Sequence, residues 1–151
     1  MRVIITFCIT LILLVSCTND VTIDQQWLED NYTKREVMIP MRDGIKLYTS
    51  IYEPDDAQEH PVLIVRTPYS CAPYGEGWKG DLTEYMQAFL KNHYVIAFQD
   101  VRGRYMSQGE FVNVRPYIPE KTGSQIDEAS DTYDTIEWIV NNISTNGSVG
   151  V

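Results

Sequence analysis

Cysteine is nearly missing from the part of this chain that could fold. Of three cysteines, Cys8 and Cys17 stand within the first 17 residues, which leaves Cys71. A single thiol makes no internal disulfide, so whatever folds must stand on an apolar core. Histidine is scarcer still, with His60 and His93 alone available. Basic charge is in deficit: 12 Lys and Arg against 21 Asp and Glu leave a formal charge of −9. With no basic stripe either, that balance argues against a nucleic-acid partner. No apolar run reaches the roughly 20 residues needed to cross a bilayer. No metal-ligand cluster, phosphate-binding glycine loop or cofactor motif occurs, so no metal and no cofactor is expected.

What is present begins with a leader. Met1–Arg2 is a short basic start, Val3–Val15 an apolar run, and Ser16 a small residue before Cys17. That order describes an export signal. Leu14-Val15-Ser16-Cys17 resembles the lipobox of bacterial lipoproteins. In that family the cysteine thiol is acylated and becomes the new N-terminus, and each buried CH₂ adds about 0.8 kcal/mol of membrane affinity. The expectation is a signal over residues 1–17 and an exported, envelope-located domain held to a membrane through Cys17. A plain secretory signal is the alternative. Cleavage leaves about 135 residues, enough for one core. At 44% apolar and 22% charged, the composition is that of a globular chain.

Residues 18–35 read as a polar lead-in, either a tether or a short helix around Trp27-Leu28. Glu36–Pro40 is β-prone, and Asp43-Gly44 supplies the positive φ of a tight turn. From Ile45 to Tyr52 apolar and polar residues alternate, which predicts a half-buried strand with Ile45, Leu47, Thr49 and Ile51 inward. Pro61–Val65 and Tyr94–Phe98 are unbroken apolar runs, as in strands buried on both faces. Between them Leu82, Tyr85, Met86, Phe89 and Leu90 form one helical stripe that Asp81 would cap. Val101 to about Gln125 has no period and reads as a functional loop. A second helix starts at Asp127 with Ala129, Tyr133, Ile136 and Val140 on a shared face, then a turn over Asn141–Ser148, then a buried strand at Val149–Val151.

Buried strands alternating with helices imply right-handed crossovers and a parallel sheet. An antiparallel hairpin leading into a mostly parallel sheet flanked by helices is the opening of an α/β-hydrolase fold. The pattern alone leaves other α/β sheets open.

Four segments narrow the choice. They are Met41-Arg42-Asp43-Gly44-Ile45-Lys46-Leu47, Arg66-Thr67-Pro68-Tyr69, Asp100-Val101-Arg102-Gly103-Arg104 with Ser107 and Gly109, and Asp131-Thr132-Tyr133-Asp134-Thr135-Ile136-Glu137-Trp138. In this order they resemble the X-Pro dipeptidyl-peptidase-like hydrolases, which include cocaine esterases, α-amino-acid ester hydrolases and glutaryl acylases. The resemblance covers residues 36–151. Thr132 stands where glycine is usual, and Tyr105-Met106 is bulkier than the common residues.

The resemblance implies acyl transfer by a serine, a base and an acid, with donors for the oxyanion. No Gly-x-Ser-x-Gly elbow is present. The triad follows the chain order serine, acid, histidine, so the expectation is an N-terminal part ending before its nucleophile. In the family, the tyrosine ending the Pro-Tyr pair donates to the oxyanion, which here implies Tyr69. His60 and His93 read as bystanders, Asp100 and Arg102 as a structural pair, and Asp131 and Asp134 as charges at a helix start. Cys71, with no base spaced for it, reads as a small buried side chain. Two further readings stand beside a hydrolase of small esters, amides or peptides: an inactive remnant, and a lipid-anchored binding module using the loop around Tyr69 and Tyr74.

Overall fold

The computed structural model describes residues 21–151. The leader and Cys17 therefore lie outside the described residues. Among those described, no helix is long and apolar enough to cross a membrane.

The first element is a helix, α1 (Gln25–Asn31), capped by Asp24, whose carboxylate accepts the Trp27 N–H at 2.8 Å. It leads straight into β1 (Tyr32–Pro40), which starts ahead of the expected Glu36. Tyr32 is the reason: its ring is buried, and its hydroxyl donates to the Leu90 and Tyr94 carbonyls at 3.2 and 3.1 Å. The turn after β1 carries Gly44 at φ 87°, and β2 (Lys46–Pro54) returns antiparallel along the whole of β1.

Three more strands complete one sheet: β3 (His60–Thr67), β4 (Val95–Asp100) and β5 (Thr145–Gly150). The order is β1-β2-β4-β3-β5. β2 joins β4 antiparallel, whereas β4, β3 and β5 run parallel. β4 is buried at every position, as befits the central strand.

The sheet separates two cores, and each revises a periodicity argument. β2 is buried on both faces from Leu47 to Tyr52 instead of on one. Leu47 and Ile51 join Ile39, Ile64, Ala97 and Ile139 on one side. Tyr48 and Tyr52 join Leu28, Tyr32, Leu90 and Phe98 on the other. Tyrosines scored as polar bring large apolar rings to the second core. β3 shows the converse: Val62 and Ile64 are buried, while Leu63 and Val65 are only partly so. An open groove lined by Leu63, Phe89, Tyr94 and Val149 runs along that side.

The helix expected near residues 82–90 is broken. It consists of two single turns, α2 (Leu82–Tyr85) and α3 (Gln87–Leu90), parted at Met86, whose ψ of 11° is not helical. Asp81 makes no capping bond and pairs with Lys79 at 3.4 Å. Leu82 and Leu90 are buried, but Tyr85 is in solvent, because the interrupted winding cannot keep the stripe on one face.

The last helix, α4 (Glu128–Asn142), starts where expected with a capping box: Asp127 accepts the Ser130 N–H, and Ser130 Oγ accepts the Asp127 N–H, both at 2.8 Å. Its buried face is Ser130, Asp131, Thr135 and Ile139. Ala129, Tyr133 and Val140 are exposed. An apolar stripe misplaced this face, since the core under its first turns is polar. β5 begins at Thr145 inside the expected turn, and it is a largely exposed edge strand instead of a buried one. Its Val149 and Gly150 lie beside Val62 and Leu63 of β3.

Candidate active site

The carboxyl ends of β3 and β4 lie side by side, with Arg66 opposite Gln99 and Thr67 opposite Asp100. Open α/β sheets place their sites at this end. Two loops leave it, one through Thr67–Gly80 and one through Val101–Ser107.

Asp100 organises both loops. Its Oδ1 accepts the Cys71 N–H at 2.9 Å, and its Oδ2 accepts the Tyr74 hydroxyl at 2.9 Å and the Met106 N–H at 3.3 Å. Its carbonyl accepts Ser107 Oγ–H at 2.6 Å, and Ser107 Oγ in turn accepts the Tyr48 N–H at 2.8 Å. A fully buried carboxylate that collects donors from two loops fixes their relative position. Burial first, then the nearby Asp100 charge, push the Cys71 thiol up to about 12. Burial and the bond to Asp100 likewise push the Tyr74 phenol up to about 12. Cys71 is thus a protonated thiol packed in the core, not a nucleophile.

The expected Asp100–Arg102 pair does not form. Arg102 turns the other way and grips Asp131 with two bonds, Nε to Oδ2 at 2.9 Å and Nη2 to Oδ1 at 2.6 Å. Its Nη1 also reaches Asp43 of the β1–β2 turn at 2.6 Å. Burial alone would lower the Arg102 pKa, but these carboxylates raise it. Asp131 is 0% exposed, so it belongs to a buried ion pair and is not a free charge at a helix start. Asp134 is similarly engaged: Arg42 donates to it from Nη2 at 2.6 Å and from its backbone N–H at 2.9 Å. Arg66 completes the belt, with Nε on Gln99 Oε1 at 2.8 Å and Nη1 on Thr132 Oγ1 at 2.6 Å. The departure at Thr132 thus supplies a hydroxyl to a buried guanidinium. Gly103 sits at φ 68°, and a Cβ there would run into the backbone of Glu110 and Phe111. No other residue fits that turn.

Upon this frame stands Tyr69. Its backbone N–H donates to Thr67 Oγ1 at 3.0 Å, and Ser70 beside it takes a left-handed φ of 80°. That conformation is costly for a residue with a Cβ and is held by the surroundings. Arg104 donates from Nε to the Pro68 carbonyl at 3.1 Å while its guanidinium stacks on Tyr105 and Phe111. The outcome is a Tyr69 side chain that is 83% exposed on a loop fastened at either side. Its phenol is an available hydrogen-bond donor at the tip of β3.

Among the described residues, neither histidine that could serve as a base is at this end. His60 opens β3 and His93 precedes β4, so both lie at the opposite, amino end of these strands. Neither reaches a nucleophile near Tyr69.

Sequence reasoning missed Lys34. Its buried ammonium donates to the carbonyls of Pro73, Gly75 and Gly77 at 3.0, 2.6 and 2.7 Å, tying the glycine-rich loop to β1. Nothing in the sequence marked it, because residues 18–35 read as a polar lead-in and not as part of β1. Asp43 was missed as an ion-pair partner because Asp-Gly also satisfies a turn.

Residues 43–151 match the family described as X-Pro dipeptidyl-peptidase (S15 family). The chain is 34% identical over 125 residues to the cocaine esterase of Rhodococcus sp. (strain MB1 Bresler), covering 82% of this chain and 20% of that protein. Among solved structures, an α-amino acid ester hydrolase labelled with selenomethionine superposes with a TM-score of 0.67 at 42% identity. An aminopeptidase from the marine sediment archaeon Thaumarchaeota archaeon does so with a TM-score of 0.68 at 38% identity. Each covers 79% of this chain and 20% of its own. The chain therefore spans about one fifth of the length of the relatives it matches.

Proposed function

The chain belongs to the S15 family of X-Pro dipeptidyl-peptidases, and on that premise we propose that residues 36–151 build one wall of a serine hydrolase for ester, amide or peptide bonds. In this reading Tyr69 donates its hydroxyl to the oxyanion of the tetrahedral intermediate. The serine, acid and histidine come from residues other than these 151, which hold no Gly-x-Ser-x-Gly and place both histidines at the wrong end of the sheet. The chain by itself has no acyl-transfer activity.

One observation carries the reading. An exposed phenol stands at the carboxyl tip of a central strand, on a loop that Asp100 and Arg104 hold still. A donor held in place before reaction costs no reorganisation when charge develops, which is where oxyanion holes obtain their effect. β5 runs parallel to β3 and points at the same end, so a nucleophile delivered along its direction approaches Tyr69.

The test is a fluorophosphonate probe applied to the folded 151-residue chain. No serine should be labelled; labelling of any serine here contradicts the assignment of the nucleophile elsewhere. The leader pattern separately supports a domain outside the cytoplasm, exported by residues 1–17 and anchored through acylated Cys17. Cells fed an alkyne-tagged fatty acid should tag the wild-type chain and not Cys17→Ser. Equal tagging of both would remove the anchor.

A further inference from the structure

Both histidines, idle at the catalytic end, meet at the other. His60 is the first residue of β3, and His93 stands just before β4. Asp56, in the connection between β2 and β3, lies between them. Its Oδ1 is 2.7 Å from His60 Nε2, and its Oδ2 is 3.3 Å from His93 Nδ1. The two imidazoles stack with centroids 5.7 Å apart and planes 20° from parallel. One donor atom from each of the three residues falls within 4.8 Å of the others.

The geometry points to a divalent transition-metal site formed by Asp56, His60 and His93. Two imidazole nitrogens and one carboxylate oxygen suit Zn²⁺ and its neighbours, while Ca²⁺ and Mg²⁺ prefer all-oxygen sets. Metal–ligand bonds of about 2.0–2.2 Å require donor atoms roughly 3 Å apart. Asp56 Oδ1 already sits at such a distance from His60 Nε2 and Oδ2 from His93 Nδ1, and closure draws three donors now within 4.8 Å of one another onto one centre. The ion would take the place of the His60–Asp56 hydrogen bond.

Two features of the backbone suit a built site. His93 takes a left-handed φ of 56°, which a residue with a Cβ adopts at a cost. That turn aims its Nδ1 at Asp56. His60 is largely buried and fixed within β3, while His93 and Asp56 are partly open to solvent. One side is rigid, and the other leaves room for water to complete the coordination. An ion here would join the β2–β3 connection to the turn before β4, clamping the amino ends of neighbouring parallel strands. The position is remote from Tyr69, so the role is structural, and it does not rest on the hydrolase reading.

The experiment is calorimetric titration of the full chain with Zn²⁺ alone, paired with a thermal scan. Saturable binding of one ion is expected, raising the melting temperature by roughly 5 °C or more when zinc exceeds its Kd a hundredfold. His60→Gln and His93→Asn should each weaken binding at least tenfold; asparagine at 93 tolerates the left-handed backbone. Cu²⁺ bound to the wild-type chain should show coupling to imidazole nitrogens by electron paramagnetic resonance, a readout that needs no variant to fold. Absence of saturable binding, unchanged affinity in His93→Asn, or a copper spectrum free of imidazole coupling would overturn the site.

Discussion

The two ends of the parallel strands solve the same problem differently. At the carboxyl end, Arg66, Arg102, Asp100 and Asp131 are buried or nearly so, and each is bound to groups on other elements. At the amino end, His60, His93 and Asp56 form a small cluster with one side in water. Buried ion pairs gain little net stability, because desolvation offsets attraction. Spending several of them on one end makes sense where position matters more than stability. That end carries Tyr69 on a loop that cannot wander. Among the described residues the amino end has no comparable frame, and its one cluster is the set Asp56, His60 and His93.

The largest effect that would sharpen this contrast is at Arg102. Arg102→Ala strips the buried Asp131 of both its guanidinium hydrogen bonds, leaving only Arg66 at 3.9 Å, and should cost about 3 kcal/mol, read from urea unfolding. His60→Gln in metal-free buffer breaks a pair whose carboxylate is in solvent and should cost clearly less than Arg102→Ala. Equal losses at the two ends would break the comparison.

A smaller effect concerns Cys71 and pH. Its thiol is pushed up to about 12 in the folded chain, above the ordinary thiol value of about 8.5. A raised folded pKa means the related stability is complete below the unfolded value and is lost as pH rises toward the folded one. Stability should therefore fall between about pH 8.5 and 12, and less so in Cys71→Ala once its own baseline is subtracted. At pH 8.5, mass mapping after alkylation should find Cys71 unmodified until the chain is denatured. Rapid native labelling would contradict its packing under Asp100.

Much of this was legible in the sequence, and the failures have a common cause. The hairpin, the buried β4 and the place where α4 starts follow from Asp43-Gly44, an unbroken apolar run and the acidic residues from Asp127 on. These are local signals. The face of α4 was misread because Asp131 and Thr135 point inward to Arg102 and Gln99, partners remote along the chain. Both faces of β2 are buried because tyrosine rings fill the second core. The helix near residue 86 breaks for reasons no stripe of apolar residues records. For the site, the Pro68-Tyr69 pair marked the residue, but the side-chain brace on its loop, through Asp100 and Arg104, needed coordinates. Asp56 and His60 are four residues apart, but His93 is distant in sequence and meets them only because β3 and β4 are neighbours.

The smallest expected change in stability is at Tyr69 itself, whose hydroxyl is in solvent; Tyr69→Phe should melt within about 0.5 kcal/mol of wild type. Its effect on turnover is the decisive measurement, made in a family hydrolase in which residues 43–151 of this chain replace the matching segment. The account predicts a kcat lower by about 10²–10³ with KM nearly unchanged. A kcat equal to that of the wild-type enzyme would contradict it.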